Sequence, residues 1–174
     1  YFLDKSLSIL NKFLLNFKPD ILINNNLRNK KPFSNNLFFK SFINKIYKKD
    51  EFLKKSIKDK ININECWKTI IKSEILKKNS IKFPEVYVGE DQCFVVDAIL
   101  HSKTFYINKK PIIYHYSSPS GLASSNLKVM TKSFIFLLNY FYKKTKKNKL
   151  HQDFILEKIK YLEQNLNIAL LNEN

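Results

Sequence analysis

Glycine is almost missing from this chain: only Gly89 and Gly121 occur in 174 residues. Glycine-rich phosphate loops and collagen-like repeats are thereby excluded. Cysteine is as scarce, and Cys66 and Cys93 stand too far apart for a CxxC pair. That rules out a disulfide scaffold and a zinc ribbon, and it fits a reducing compartment. Arg28 is the single arginine among 31 basic residues. Arginine supplies the planar fork that reads guanine edges and clamps phosphates, whereas lysine acts as a point charge. Sequence-specific nucleic acid is therefore not an expected partner. A run of ~18 uncharged apolar residues, enough to span a bilayer, is also lacking; the best stretch, Phe134 to Tyr142, is short and flanked by lysines. Methionine occurs once, at Met130, and the first residue is Tyr1, so an upstream segment is expected.

What is present is apolar and basic. The chain is 44% hydrophobic and 14% aromatic, ample for the core of one ordinary domain. Acidic residues number 15, leaving a formal charge of +16. Such a balance invites a polyanion, either nucleic acid held without sequence preference or an anionic membrane surface. Yet the charge comes from 30 lysines, beside 20 asparagines and many Ile and Phe. These four residue types share A/T-rich codons, so genome composition alone is a sufficient source of the bias.

Periodicity divides the chain into short elements. Leu3, Leu7, Leu10, Leu14 and Phe17 mark one face of a helix that Pro19 ends. Residues 20–23 read as a short buried strand, followed by a polar loop over 24–36. One or two short helices are expected between Asn36 and Lys58. A helix from Asn64 to Lys78 is expected from the stripe Trp67, Ile70, Ile71, Ile75 and Leu76. Asp91 to Leu100 reads as a helix with Phe94, Val95, Ala98 and Ile99 inward. Two strands, Thr104 to Ile107 and Ile112 to Tyr116, are expected around a turn at Pro111. Helices are expected again from Leu127 to Lys143 and from Gln152 to Leu171. The sum is an α/β domain with few, short strands, resembling the second half of a larger one with a helical tail.

Chemistry concentrates between residues 65 and 116. Gly89-Glu90-Asp91 sets adjacent carboxylates at a helix start, where backbone amides and the helix dipole favour the ionised form. A positioned carboxylate can accept a proton from a hydroxyl as a general base; it can equally serve only as a helix cap. Cys93 reads as a small buried hydrophobe. His115 and His101 are lone histidines, a type usually structural. Lys143, Lys144, Lys146, Lys147 and Lys149 read either as a solvated connector or as a basic patch on anionic lipid.

The ordered set Cys66-Trp67-Lys68, Asn79 to Pro84, Gly89-Glu90-Asp91, Phe105 to Ile107 and Pro111 to Tyr116, with serines after it, resembles the acceptor-side half of family 2 glycosyltransferases. That resemblance covers about residues 60 to 125. It implies a partial GT-A fold and an inverting transfer of a sugar from a nucleotide-sugar donor to an acceptor hydroxyl. Asp91 matches the family's catalytic base and Glu90 its neighbour near sugar hydroxyls. Tyr116 and Ser120 would bind substrate. Trp67 would line the acceptor cleft or pack in the core, and both readings stand. The family also implies a divalent metal, Mg or Mn, held by an Asp-x-Asp motif that this sequence does not contain; some members use a late histidine as a further ligand, the place His115 would take. The chain is accordingly expected to comprise the C-terminal half of a GT-A domain at 1–125 and a lysine-rich helical extension at 126–174, inactive alone. A glycan or lipid-linked acceptor, bacterial surface glycan synthesis, and a cytoplasmic location at the inner face of the plasma membrane are implied. The rival readings are a basic, non-enzymatic module for anionic membrane or nucleic acid, and a remnant that keeps the fold without chemistry.

Overall fold

A computed structural model of the chain describes residues 5–28, 31–32, 42–43, 45–61, 63–115, 127–145 and 149–171. Helix α1 (Ser6–Phe17) leads into strand β1 (Ile21–Arg28), then β2 (Lys31–Pro32), β3 (Ile46–Lys48) and α2 (Lys49–Lys58). A single turn of 3-10 helix (Cys66–Lys68) precedes β4 (Thr69–Ile71), α3 (Ser73–Lys78), α4 (Glu90–His101), β5 (Thr104–His115), α5 (Leu127–Tyr142) and α6 (Lys149–Leu171). The strands form one mixed sheet in the order β2-β1-β5-β3, with β4 also on β1. β1 and β5 run parallel at its centre; β2, β3 and β4 pair antiparallel.

Alternation along the central strands sorts the core. Successive strand side chains point to opposite faces, so Ile21, Ile23, Phe105 and Ile107 join α2, α4, α5 and α6 in the larger cluster, while Leu22, Tyr106 and Ile112 meet α1 on the other side. Phe52 of α2 lies flat on Phe105, with ring centroids 4.1 Å apart and planes 5° apart. In α1, Leu10 is buried and Leu14 half-buried, but Leu7 is 68% exposed, and Leu3 lies outside the described residues. Lys18, in left-handed backbone (φ 43°), closes α1 just ahead of Pro19.

Asp20 ties the sheet together at the strand starts. Its carboxylate accepts the backbone N–H groups of Lys103 (2.8 Å) and Thr104 (3.2 Å) and pairs with the Lys72 ammonium at 3.0 Å. Burial pushes this carboxyl up, but the Lys103 amide and Lys72 outweigh it and hold the pKa below the usual value.

Four sequence expectations give way. Residues 64–78 are not one helix but a 3-10 turn, β4 and the short α3. The apolar spacing there suits a helix, yet Thr69-Ile70-Ile71 is a β-branched run that fills the open edge of β1. The loop expected after residue 23 is instead the second half of β1, which continues through Asn24-Asn25-Asn26 to Arg28. The two strands expected around Pro111 are one strand, β5. Proline cannot donate to a ladder; Pro111 falls opposite Asn25, where the register shifts, and the Asn25 side-chain amide bridges to the Lys109 carbonyl at 3.0 Å. Likewise Ile46 begins a strand rather than a helix. The expected helices at Asp91, Leu127 and Gln152 are found as α4, α5 and α6.

The C-terminal helices are built into the domain core. Phe134, Leu137 and Phe141 of α5 and Phe154, Ile155, Ile159 and Leu162 of α6 all enter the larger cluster. Lys144 is no solvated connector: its ammonium pairs with Asp97 of α4 at 2.6 Å and lies 4.5 Å from the Tyr140 ring centroid. Tyr140 donates its hydroxyl to the other Asp97 oxygen at 2.6 Å. This polar latch holds α5 on α4. Tyr140→Phe should lower stability by about 1–2 kcal/mol, the cost of one hydrogen bond to a charged acceptor, read as a lower urea midpoint at unchanged slope.

Candidate active site

The carboxylates at the start of α4 are aimed by the loop before it. Ile81 is buried and Phe83 stacks on Phe94 of α4, with centroids 4.1 Å apart, which pins the loop to the helix. Gly89 then turns the chain in left-handed backbone, φ 86°, immediately before Glu90 and Asp91. It is buried against α5: a Cβ there would meet Leu137 Cδ1 at 2.6 Å. No side chain caps α4, so Glu90 and Asp91 occupy its first turn without filling the cap position.

Asp91 is half-buried beside the 3-10 turn. Burial, then the negative charges of Glu90 and Glu65, push its carboxyl up to about 6, against the pull of the Gln92 and Cys66 backbone amides. The sequence suggests the opposite direction, an acid held ionised by the helix start. Helix-terminal stabilisation is a fraction of a charge, and here two acids and partial desolvation outweigh it. Glu65 shows the same crowding. One of its oxygens pairs with Lys68 at 3.0 Å, while the other is buried without a hydrogen-bond partner among the described residues. The Cys66 thiol is raised by burial first and then by Asp91 and Glu90, and the buried Cys93 is pushed up to about 12. Neither thiol has the lowered pKa a nucleophile needs.

Beneath the turn lies a polar ladder. Asn108 of β5 donates to Asn24 of β1 (3.3 Å), and Asn24 donates to the Lys68 carbonyl (3.3 Å). Both asparagines are almost fully buried. The ladder sits where the β1–β5 register shifts, a type of irregularity that collects beside active sites. Trp67 is 36% exposed, with the Lys68 ammonium 5.0 Å from its ring centroid, so it is not a core residue. Tyr87, 61% exposed, and Phe83, 49% exposed, lie in the loop that leads to the carboxylates.

The fold thus brings Asp91, Glu90 and the 3-10 turn bearing Trp67 to one place. Tyr116 and Ser120 lie outside the described residues. His115 ends β5 opposite Arg28 of β1, and His101 sets Nδ1 2.8 Å from the Asp97 carbonyl, a helix-end contact. Among the described residues, no group of three or more His, Cys, Asp or Glu side chains is arranged to hold a metal ion, and no helix is long and apolar enough to cross a membrane. Glu65, Asn24 and Asn108 do not stand out in the sequence. Glu65 alone carries a signal, as the acid directly before Cys66-Trp67.

No family model and no curated protein matches the sequence. Solved structures do. The chain superposes on S. aureus TarS residues 1–349 in complex with UDP-GlcNAc with a TM-score of 0.62 at 19% identity, over 93% of this chain and 45% of that one. The same protein in complex with UDP gives 0.57 at 21% identity, over 91% and 43%. The fold is glycosyltransferase-like. It is an α/β arrangement with an open sheet, consistent with part of a GT-A-like domain. A further TarS structure matches at 0.58 and 22% identity, over 91% of this chain and 26% of its own. The chain therefore spans less than half the length of these structures.

Proposed function

We propose that this chain forms the acceptor side of an inverting glycosyltransferase that moves a sugar from a nucleotide-sugar donor to a hydroxyl of a cell-surface glycan or lipid-linked acceptor. Asp91 is the general base. As the acceptor oxygen attacks the anomeric carbon, the hydroxyl proton passes to the Asp91 carboxylate. The carbon–oxygen bond to the nucleoside diphosphate breaks, its electron pair leaves with the diphosphate, and the configuration inverts. Glu90 contacts sugar hydroxyls and Trp67 offers its face to a sugar's C–H surface. Donor binding falls to a further part of the protein, and this chain by itself is inactive. The Mg or Mn ion expected on the diphosphate would neutralise charge on the leaving group, and its ligands are expected mostly in that further part, since no such ligand group occurs among the described residues.

One observation carries the reading: a half-buried carboxyl with its pKa raised to about 6, at the mouth of a helix on a glycosyltransferase-like fold. General bases work best when poised near the operating pH. UDP-GlcNAc, present in the TarS complex, is the first donor to test. With the complete protein, kcat/KM should rise along a limb with an apparent pKa near 6 and level off above it. A profile that stays flat on descending through pH 6 removes Asp91 from the base role.

A further inference from the structure

Helix α5 buries one face and turns the other to solvent. Ser133, Phe134, Leu137 and Phe141 point into the core. On the outward side Lys128 and Lys132 stand exposed, followed by Ile135 at 48% and Phe136 at 37% exposure. Tyr142 is 48% exposed, and Lys143 is exposed just beyond the last turn. Steps of three, four or seven residues separate these positions, which sets them on a single stripe along the helix.

The stripe combines apolar surface with charge of one sign. Helix α5 contains neither Asp nor Glu, and none of the three lysines is in an ion pair among the described residues. Glu163 of α6 borders one end, where its carboxylate accepts the Tyr142 hydroxyl at 2.8 Å. A partner must take Ile135 and Phe136 out of water and also accept a row of ammonium groups. A nucleic-acid backbone meets the lysines but offers nothing to an aliphatic side chain. An anionic bilayer surface meets both. Its acyl boundary receives the apolar side chains, its phosphates face the ammonium groups, and the long lysine stems span the two depths. Tyr142, with an apolar ring and a polar tip, suits the same boundary. The helix has 16 residues, about 24 Å, and would lie along the surface; no helix among the described residues is long and apolar enough to cross. The formal charge of +16 adds attraction at longer range.

We propose that the outward face of α5 is a docking surface for an anionic membrane, with Ile135 and Phe136 entering the headgroup boundary and Lys128, Lys132 and Lys143 facing lipid phosphates. The test sediments the complete protein with vesicles of phosphatidylcholine alone and of an equimolar mixture with phosphatidylglycerol. Binding to the mixed vesicles is expected, weakening as salt rises, with little on phosphatidylcholine. Lys128→Gln, Lys132→Gln and Lys143→Gln together should weaken it on the order of a hundredfold, at about fivefold per lysine. Ile135→Glu should weaken it roughly tenfold or more. Helix α1, on the other side of the sheet, supplies the comparison, since it exposes Lys5, Lys12 and Lys18 beside Leu7 and Leu15. Changing those three lysines to Gln removes the same charge and should cost only about twofold. Asp91→Asn should bind like the parent, so failure of the base assignment leaves this surface standing. Absence of binding to mixed vesicles, equal losses in the two lysine sets, or indifference to Ile135→Glu overturns the proposal. So does a dimer that Ile135→Glu breaks, or an oligonucleotide captured through the α5 lysines in place of vesicles. Should Ile135→Glu fail to fold by circular dichroism, the two lysine sets decide the question.

Discussion

Replacing Asp91 with Asn in the complete protein should cut sugar transfer by roughly 10²- to 10⁴-fold, the usual worth of a general base, while leaving donor affinity unchanged. The same change should make the protein more stable at neutral pH. The carboxyl titrates near 6 when folded, against an ordinary value of 3.8. A gap of about two units corresponds to a ceiling of ~3 kcal/mol, which solvent access to a half-buried group reduces to about 1–2 kcal/mol. The sign follows from a raised acid pKa. The folded state is penalised wherever Asp91 must be charged, so the gain from Asn is full above pH ~6, shrinks as pH falls through 6, and vanishes below about 4. Urea melts of both proteins between pH 4 and 8 measure it. A loss of activity together with a gain of stability is the signature of a strained functional group. Equal turnover, or a variant less stable at pH 7, contradicts the assignment.

The second large effect is expected at Gly89→Ala. Left-handed backbone costs an alanine roughly 1–2 kcal/mol, and its Cβ would meet Leu137 Cδ1 at 2.6 Å, an overpacking typically worth a further 1–3 kcal/mol. A total loss of about 2–5 kcal/mol should appear in the unfolding midpoint. Relief of the clash displaces either Leu137 or the turn that aims Glu90 and Asp91. Transfer should therefore fall even under conditions where the variant is fully folded. Leu137→Ala in the same background opens the space, and is expected to restore the turn without restoring stability, because it leaves a cavity in the core.

Parts of this architecture are legible in the sequence for physical reasons. Helix α4 announces itself through two acids after a glycine followed by inward-facing Val95, Ala98 and Ile99. Helices α5 and α6 are long enough for a 3.6-residue period to be unambiguous. Residues 64–78 mislead because a one-turn apolar spacing looks alike in a helix and in a strand followed by a short helix. Only the unpaired edge of β1, a long-range fact, chooses between them. Pro111 reads as a break because local rules forbid proline in a regular ladder, whereas the register shift opposite Asn25 removes the need for its N–H. The raised Asp91 carboxyl is hidden for the same reason: Glu65 is 26 positions away in sequence, and its charge counts only once folding brings the 3-10 turn to α4.

Leu137 belongs to the C-terminal helices, yet it forms the wall against which Gly89 turns. The turn before Glu90 and Asp91 therefore has a remote lever. Anything that pries α5 from α4, whether a partner, a surface or a broken Asp97–Lys144 pair, is expected to shift the turn that carries Glu90 and Asp91 without touching either. If Asp91 is the proposed base, such a movement should slow transfer from the far side of the domain.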